Sequence, residues 1–131
     1  MDSNTLIYGT YGNPEKKKRA KEILVSAQFE RIISIQVLKE FANVCLKKKL
    51  HSSEKELIEN ILQFKSNLFI ADITPETIIE AIRISIAHQL SFYDSLIIAT
   101  ALEQGCKILY SEDLHHGQII RRKMKIINPF V

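Results

Sequence analysis

Four carboxylates spread along the chain, Asp2, Glu40, Asp94 and Asp113, each fall beside an expected strand end or in the first turns of an expected helix. In an α/β sheet such positions converge at one edge, and carboxylates brought together do not all stay ionised without a cation between them. Oxygen ligands of this kind suit Mg²⁺ or Mn²⁺, and such a centre supports metal-assisted attack on a phosphodiester. Each acid taken singly has a plainer reading. Asp94 stands three residues after Ser91, where it could complete a capping box or complement a helix dipole. Glu40 could be a solvated helix residue beside Lys39, Asp113 a turn or N-cap residue, and Asp2 a frayed terminus. The conjunction of four acids carries the functional reading. Asp72 and Glu112 lie nearby and read as a turn residue and an exposed residue.

The elements that must position these acids follow from local signals. Asn13-Pro14-Glu15 reads as an N-cap, a proline at the first helical position and a favourable first-turn acid. The helix from Pro14 to about Glu30 then places Ala20, Ile23, Leu24 and Ala27 on one face. Arg31 to Ser34 suits a short buried strand, and Ser34 can cap the next helix, with apolar positions Val37, Leu38, Phe41 and Val44. Ser53 to Glu56 reads as a capping box opening a helix to about Lys65. Leu68 to Ala71 reads as a strand, and Thr74-Pro75-Glu76 starts a helix to about His88. Ser91 caps a helix from Phe92 to Glu103, ended by Gly105. Lys107 to Tyr110 is the next strand, and Met124 to Ile127 a last, edge-type strand. Strands alternating with helices predict an α/β fold of three layers, a mostly parallel central sheet with helices on both faces. Its functional crevice lies beyond the carboxyl ends of the strands.

At 131 residues, the chain is expected to be one domain over residues 1–131, large enough for a proper core. No apolar run is long enough to span a bilayer and no signal-peptide pattern occurs, so no membrane role is expected. Cys45 and Cys106 have no CxxC spacing, which points away from a disulfide framework and toward a reducing cytoplasm. The net charge of +3 permits a polyanionic partner without demanding one. Its basic residues cluster at Lys16, Lys17, Lys18, Arg19 and Lys21, at Lys47 to Lys49, and at Arg121 to Lys123 with Lys125. Such runs are commonly the wet face of a helix, yet Lys/Arg flanking an acidic centre is what a phosphodiesterase uses on a nucleic-acid backbone. His115 and His116 are adjacent and do not face one point, and no HExxH or Cys/His spacing accompanies them, so a zinc site is not expected. Tyr8, Tyr11, Phe92 and Tyr93 read as core or interface residues rather than base-stacking platforms.

The pattern resembles a known family. Asp2-Ser3-Asn4-Thr5-Leu6-Ile7-Tyr8 is similar to the opening motif of PIN-domain ribonucleases, and Ser34 to Phe41 (SIQVLKEF) looks like their second motif, with Glu40 as its acid. Ser91 to Ala101 (SFYDSLIIATA) resembles the third and is the most specific of the set. Leu109 to Leu114 (LYSEDL) is similar to the fourth, with Asp113 as its acid. Within that superfamily the chain looks closest to VapC-type toxins of bacterial toxin–antitoxin pairs. The resemblance implies a Mg²⁺/Mn²⁺-dependent endoribonuclease acting on tRNA, rRNA or mRNA, homodimeric and silenced by a cognate antitoxin protein. It further implies Asp2 and Asp94 as metal ligands and Glu40 as a ligand or water-orienting residue. Asp113 would be more peripheral, with Asn4 behind Asp2 and Ser111 behind Asp113. Family members have several apolar residues before the first acid, whereas only Met1 precedes Asp2. The first strand is therefore expected to be truncated, with residues upstream of Met1 in the natural protein. The alternative is a PIN-like module that binds RNA or protein without cutting. A haloacid-dehalogenase-like phosphatase needs a second Asp where this chain has Asn4, and a receiver domain needs a lysine after its strand where this chain has acids.

Overall fold

The computed structural model describes residues 14–25, 32–111 and 114–128. The expected first strand with Asp2 and Asn4, the aromatics Tyr8 and Tyr11, the end of the first helix with Arg31, and the Glu112-Asp113 pair lie outside the described residues. Of the expected apolar face of the first helix, Ala27 also lies outside, and for Ala20, Ile23 and Leu24 only the helical backbone is described.

Helix α1 (Pro14–Val25) opens with Pro14 and Glu15 in its first turn, as the sequence dictates. Strand β1 (Ile32–Ser34) runs directly into α2 (Ile35–Lys48), because the Ser34 hydroxyl accepts the Val37 N–H at 3.2 Å. Helix α3 (Glu54–Asn67) leads to β2 (Phe69–Ala71), which pairs parallel with β1 in the register Ile33 to Ile70. Helices α4 (Pro75–His88) and α5 (Phe92–Glu103) follow, then β3 (Ile108–Tyr110), β4 (Ile119–Ile120) and β5 (Met124–Ile127). Among the described residues the strands form a parallel pair, β1–β2, and a three-stranded sheet in the order β3–β5–β4. Strand β5 is parallel to β3 and antiparallel to β4. It is thus the middle of its sheet and not the edge strand expected, and Met124 and Ile126 are accordingly buried. The two-residue β4 has no sequence signature of its own; pairing with β5 creates it.

Helix α5 is the centre of the packing. Every residue from Ser95 to Ala101 is buried, so the helix is surrounded rather than laid on a surface. Its two buried hydroxyls are satisfied within the helix, Ser95 on the Ser91 carbonyl at 2.8 Å and Thr100 on the Leu96 carbonyl at 2.9 Å. Helix α4 packs along α5, and the Thr77 hydroxyl donates to Glu103 across the pair at 2.9 Å. On the other side of the core Phe41 of α2 is fully buried with its ring edge-on to Phe64 of α3, centroids 5.1 Å apart.

Two caps depart from expectation. At α3 the Ser53 hydroxyl accepts the Glu56 N–H, but the Glu56 carboxylate reaches one residue further back, to the N–H and hydroxyl of Ser52. The reciprocal box forms instead at α4. There Thr74 and Thr77 exchange both bonds, at 3.1 and 3.3 Å, with a threonine hydroxyl in the place of the usual acid.

The β4–β5 turn is made by Arg121 and Arg122 at φ 51° and 56°, with the Lys123 N–H donating to the Ile120 carbonyl at 3.0 Å. That left-handed pair is normally supplied by Asn and Gly, and costs about 1–2 kcal/mol per ordinary residue. Arg121 is anchored by Glu80 of α4 at 2.7 Å, and Glu80 also takes Arg83 at 2.5 Å. The bonds from Arg121 and then Arg83 hold the Glu80 carboxyl below the usual carboxylate range. Among the described residues no helix is long and apolar enough to cross a membrane.

Candidate active site

The carboxyl end of β1 delivers the first of the acids. Because Ser34 starts α2 without any intervening loop, Glu40 stands in the second turn of that helix, half-buried. The start of α5 delivers the second. Ser91 caps the helix, and its hydroxyl accepts the Asp94 backbone N–H at 3.1 Å. The return bond of a capping box, from the Ser91 N–H to the Asp94 carboxylate, is not made. The carboxylate of Asp94, half-buried, makes no hydrogen bond or ion pair to another described residue. The cap thus uses the N–H of Asp94 and leaves its carboxylate uncommitted among the described residues.

What joins the two acids is Gln36, a residue that reading the acids alone passes over. Its amide Nε2 donates to Glu40 Oε1 at 2.8 Å, and makes a longer contact of 3.4 Å to the carbonyl of Tyr93, the residue before Asp94. Both neighbours are pure acceptors, which fixes which end of the amide faces them. One amide nitrogen therefore ties the acid of α2 to the first turn of α5. The sequence did hold a signal: Gln36 is the polar residue four before Glu40, on the same helical face, in a stretch otherwise rich in apolar residues. The side chain is only 7% exposed, and its Oε1 is buried with no hydrogen-bond partner among the described residues.

Ser111 stands just past the carboxyl end of β3, 2% exposed, its N–H donating to the Ile127 carbonyl at 3.0 Å. It is the last described residue before Asp113 in the chain. Asp2, Asn4 and Asp113 themselves lie outside the described residues, and among those described no three His, Cys, Asp or Glu side chains form a metal-holding group. The structure thus brings together Glu40 and the segment bearing Asp94, half of the expected set. In kind, though not as a complete set, the donors suit a hard divalent cation: two carboxylates on separate helices, with a buried amide oxygen that has no partner among the described residues on the residue that joins them.

The remaining candidates sort by exposure. Lys16 and Lys17 are half-buried and Lys18 and Arg19 exposed on α1, with Arg19 paired to Glu22 at 3.3 Å. Of the two alternatives read for Phe92 and Tyr93, core or interface, their exposure removes the core one. Tyr93 is 64% exposed, and the two rings stand edge-to-face at 5.6 Å beside Asp94. His115 and His116 are exposed, and the His116 Nδ1 accepts the Asn128 N–H at 2.9 Å, which accounts for it structurally. Asp72 lies exposed after β2. Cys45 is buried in α2, and desolvation, with Glu56 adding to it, pushes its thiol up and keeps it protonated and unreactive.

Comparison with known proteins bears on the family and the fold. The sequence model of the family described as PIN domain matches residues 1–120. A toxin–antitoxin complex from Klebsiella pneumoniae is similar in structure, with a TM-score of 0.71 at 19% identity over 98% of this chain and 94% of that one. VapC20 of Mycobacterium tuberculosis, a sarcin-ricin loop cleaving toxin, is similar with a TM-score of 0.68 at 18% identity, over 86% of this chain and 87% of that one. No curated protein matches the chain in sequence.

Proposed function

Because the chain belongs to the PIN domain family, we propose that it is a metal-dependent endoribonuclease and the toxin half of a toxin–antitoxin pair, working in the cytoplasm as a single domain. The observation that carries this reading is the tie through Gln36, which brings the Glu40 carboxylate to the turn of α5 that bears the uncommitted carboxylate of Asp94. Glu40 and Asp94 would hold Mg²⁺ or Mn²⁺, joined by Asp2 and by the more peripheral Asp113 from the other motifs. When bound, the ion supplies Lewis acidity, acidifying the attacking water and neutralising charge that develops on the phosphate. No serine or cysteine nucleophile is then required. Glu40, held by Gln36, orients the attacking water; Asn4 supports Asp2, and Ser111 supports the segment of Asp113. Lys16, Lys17, Lys18 and Arg19 on α1 bind RNA phosphates, positioning the strand without reading its sequence.

The similar folds named above include a toxin–antitoxin complex and an RNA-cleaving toxin, and they support RNA as substrate and an antitoxin as partner. Exposed isoleucines on α4, Ile79, Ile82 and Ile86, lie on one helical face and support a protein partner or a homodimer. The test is incubation with total RNA and purified tRNA in Mn²⁺ and in EDTA, beside Asp94→Asn. Cleavage is expected in Mn²⁺ alone and only from the native sequence. Cleavage that persists in EDTA or in Asp94→Asn removes the acidic-centre mechanism. RNA binding with no cleavage under any condition favours the non-catalytic module.

A further inference from the structure

A buried acceptor without a donor costs about 1–3 kcal/mol, and folded proteins rarely leave one beside a polar cluster unless something completes it. Among the described residues Gln36 Oε1 is such an atom, on an amide whose other end is fully committed to the acid of α2 and the backbone of α5. The candidates for its missing partner are few. Glu40 and the Tyr93 carbonyl are acceptors and hold the Nε2 end, so neither can donate to Oε1. The missing partner must bring its own hydrogen, and water held at an acidic cation site does so.

From this geometry we infer that Gln36 is a positioning residue of the acidic centre. Its Nε2 fixes the Glu40 carboxylate against the first turn of α5, and its Oε1, closed off from solvent, gains a donor only when local rearrangement on loading admits water beside it. This rests on the acidic-centre reading and deepens it, since it assigns the coupling of the two helices to one side chain. A burial role alone would make Gln36 replaceable by any apolar side chain of its length. A positioning role would not, because methionine fills the volume but neither holds Glu40 nor receives the water.

The test measures Mn²⁺ affinity by calorimetry for the native protein, Gln36→Met, Glu40→Gln and the double variant, with thermal unfolding of each in EDTA. Partners of this kind behind a metal ligand typically change affinity by roughly 10- to 100-fold, and a loss of that size is expected for Gln36→Met. Since Gln36 acts in part through Glu40, the loss in the double variant should be smaller than the product of the two single losses. Native affinity in Gln36→Met, or losses that multiply in the double variant, would overturn the inference while leaving the acidic centre standing. A native protein that binds no Mn²⁺ overturns both. Should Gln36→Met fail to fold, the native protein still decides. Its Gln36 side-chain amide resonances should move when diamagnetic Mg²⁺ is added, and resonances that stay in place while Mg²⁺ binds refute the assignment.

Discussion

Replacing Asp94 by asparagine separates the structural from the chemical role of that residue. The cap of α5 uses the Asp94 backbone N–H, bonded to the Ser91 hydroxyl at 3.1 Å, and asparagine keeps that bond. What is lost structurally is a first-turn negative charge, worth about 0.3–1 kcal/mol at a helix N-terminus. Against it stands relief of like-charge repulsion from Glu40, whose carboxylate is tied through Gln36 to this same turn. The two effects oppose each other, so stability should change by less than about 1 kcal/mol, a melting shift of no more than roughly 4 °C for a chain of this size. The chemical loss is of another order. A ligand carboxylate supporting several kcal/mol of charge stabilisation, taken as about 4 kcal/mol at 1.36 kcal/mol per decade, predicts a loss of roughly a thousandfold in cleavage rate. Single-turnover cleavage of a labelled RNA in Mn²⁺, alongside thermal unfolding in EDTA, reads both numbers. A folded variant cutting at near the native rate would refute the assignment of Asp94. A variant that loses activity only because it unfolds would show that the carboxylate serves the helix after all.

Other consequences are open to simpler measurements. Substituting Arg122→Gly at its φ of 56° should raise the urea midpoint by a gain of up to about 1 kcal/mol, since glycine adopts this conformation freely; a lower midpoint would mean that the arginine side chain outweighs its backbone strain. Glu80, with its carboxyl lowered by Arg121 and Arg83, contributes stability that is present above the unfolded carboxylate value and lost as pH falls through the lower folded value. The melting-temperature gap between native protein and Glu80→Gln should therefore be open at pH 7 and close on acidification below pH of about 4, and a gap independent of pH would remove the ion-pair explanation. Reversing charge at Lys16, Lys17 and Lys18 should weaken RNA binding and flatten its dependence on salt, by roughly one unit of slope for each phosphate no longer neutralised. An unchanged slope would return α1 to the role of a solvated helix.

How far the sequence reached depended on whether a feature is local. Helices α4 and α5 begin where Thr74-Pro75 and Ser91 say they should, because a cap is settled within three residues. The strand order was not legible in the same way. Met124 to Ile127 is a short run interrupted by a lysine and reads as an edge, yet it lies between β3 and β4, and only pairing distant in sequence could reveal this. At α3 even a local reading slipped, because the Glu56 carboxylate found the Ser52 hydroxyl and N–H one position beyond the expected partner.

The candidate site shows the same divide within single residues. A carboxylate three after a capping serine is compatible with two fates, and the sequence has no means to separate them, since both place the same residue type at the same position. They differ in which atom is used. Ser91 takes the N–H of Asp94, and the carboxylate stays uncommitted among the described residues. At α4 the equivalent position spends its side chain on closing the box, and Thr77 is wholly buried as a result. Two helices that pack against each other and start with the same N-cap bond thus finish it differently. The one whose carboxylate has no partner among the described residues is the one whose first turn is tied to Glu40 through Gln36. A merely structural acid would be expected to complete its own cap, as Thr77 does. That contrast, more than the presence of an acid at position 94, is what supports a functional role for the Asp94 carboxylate over a helix-starting one.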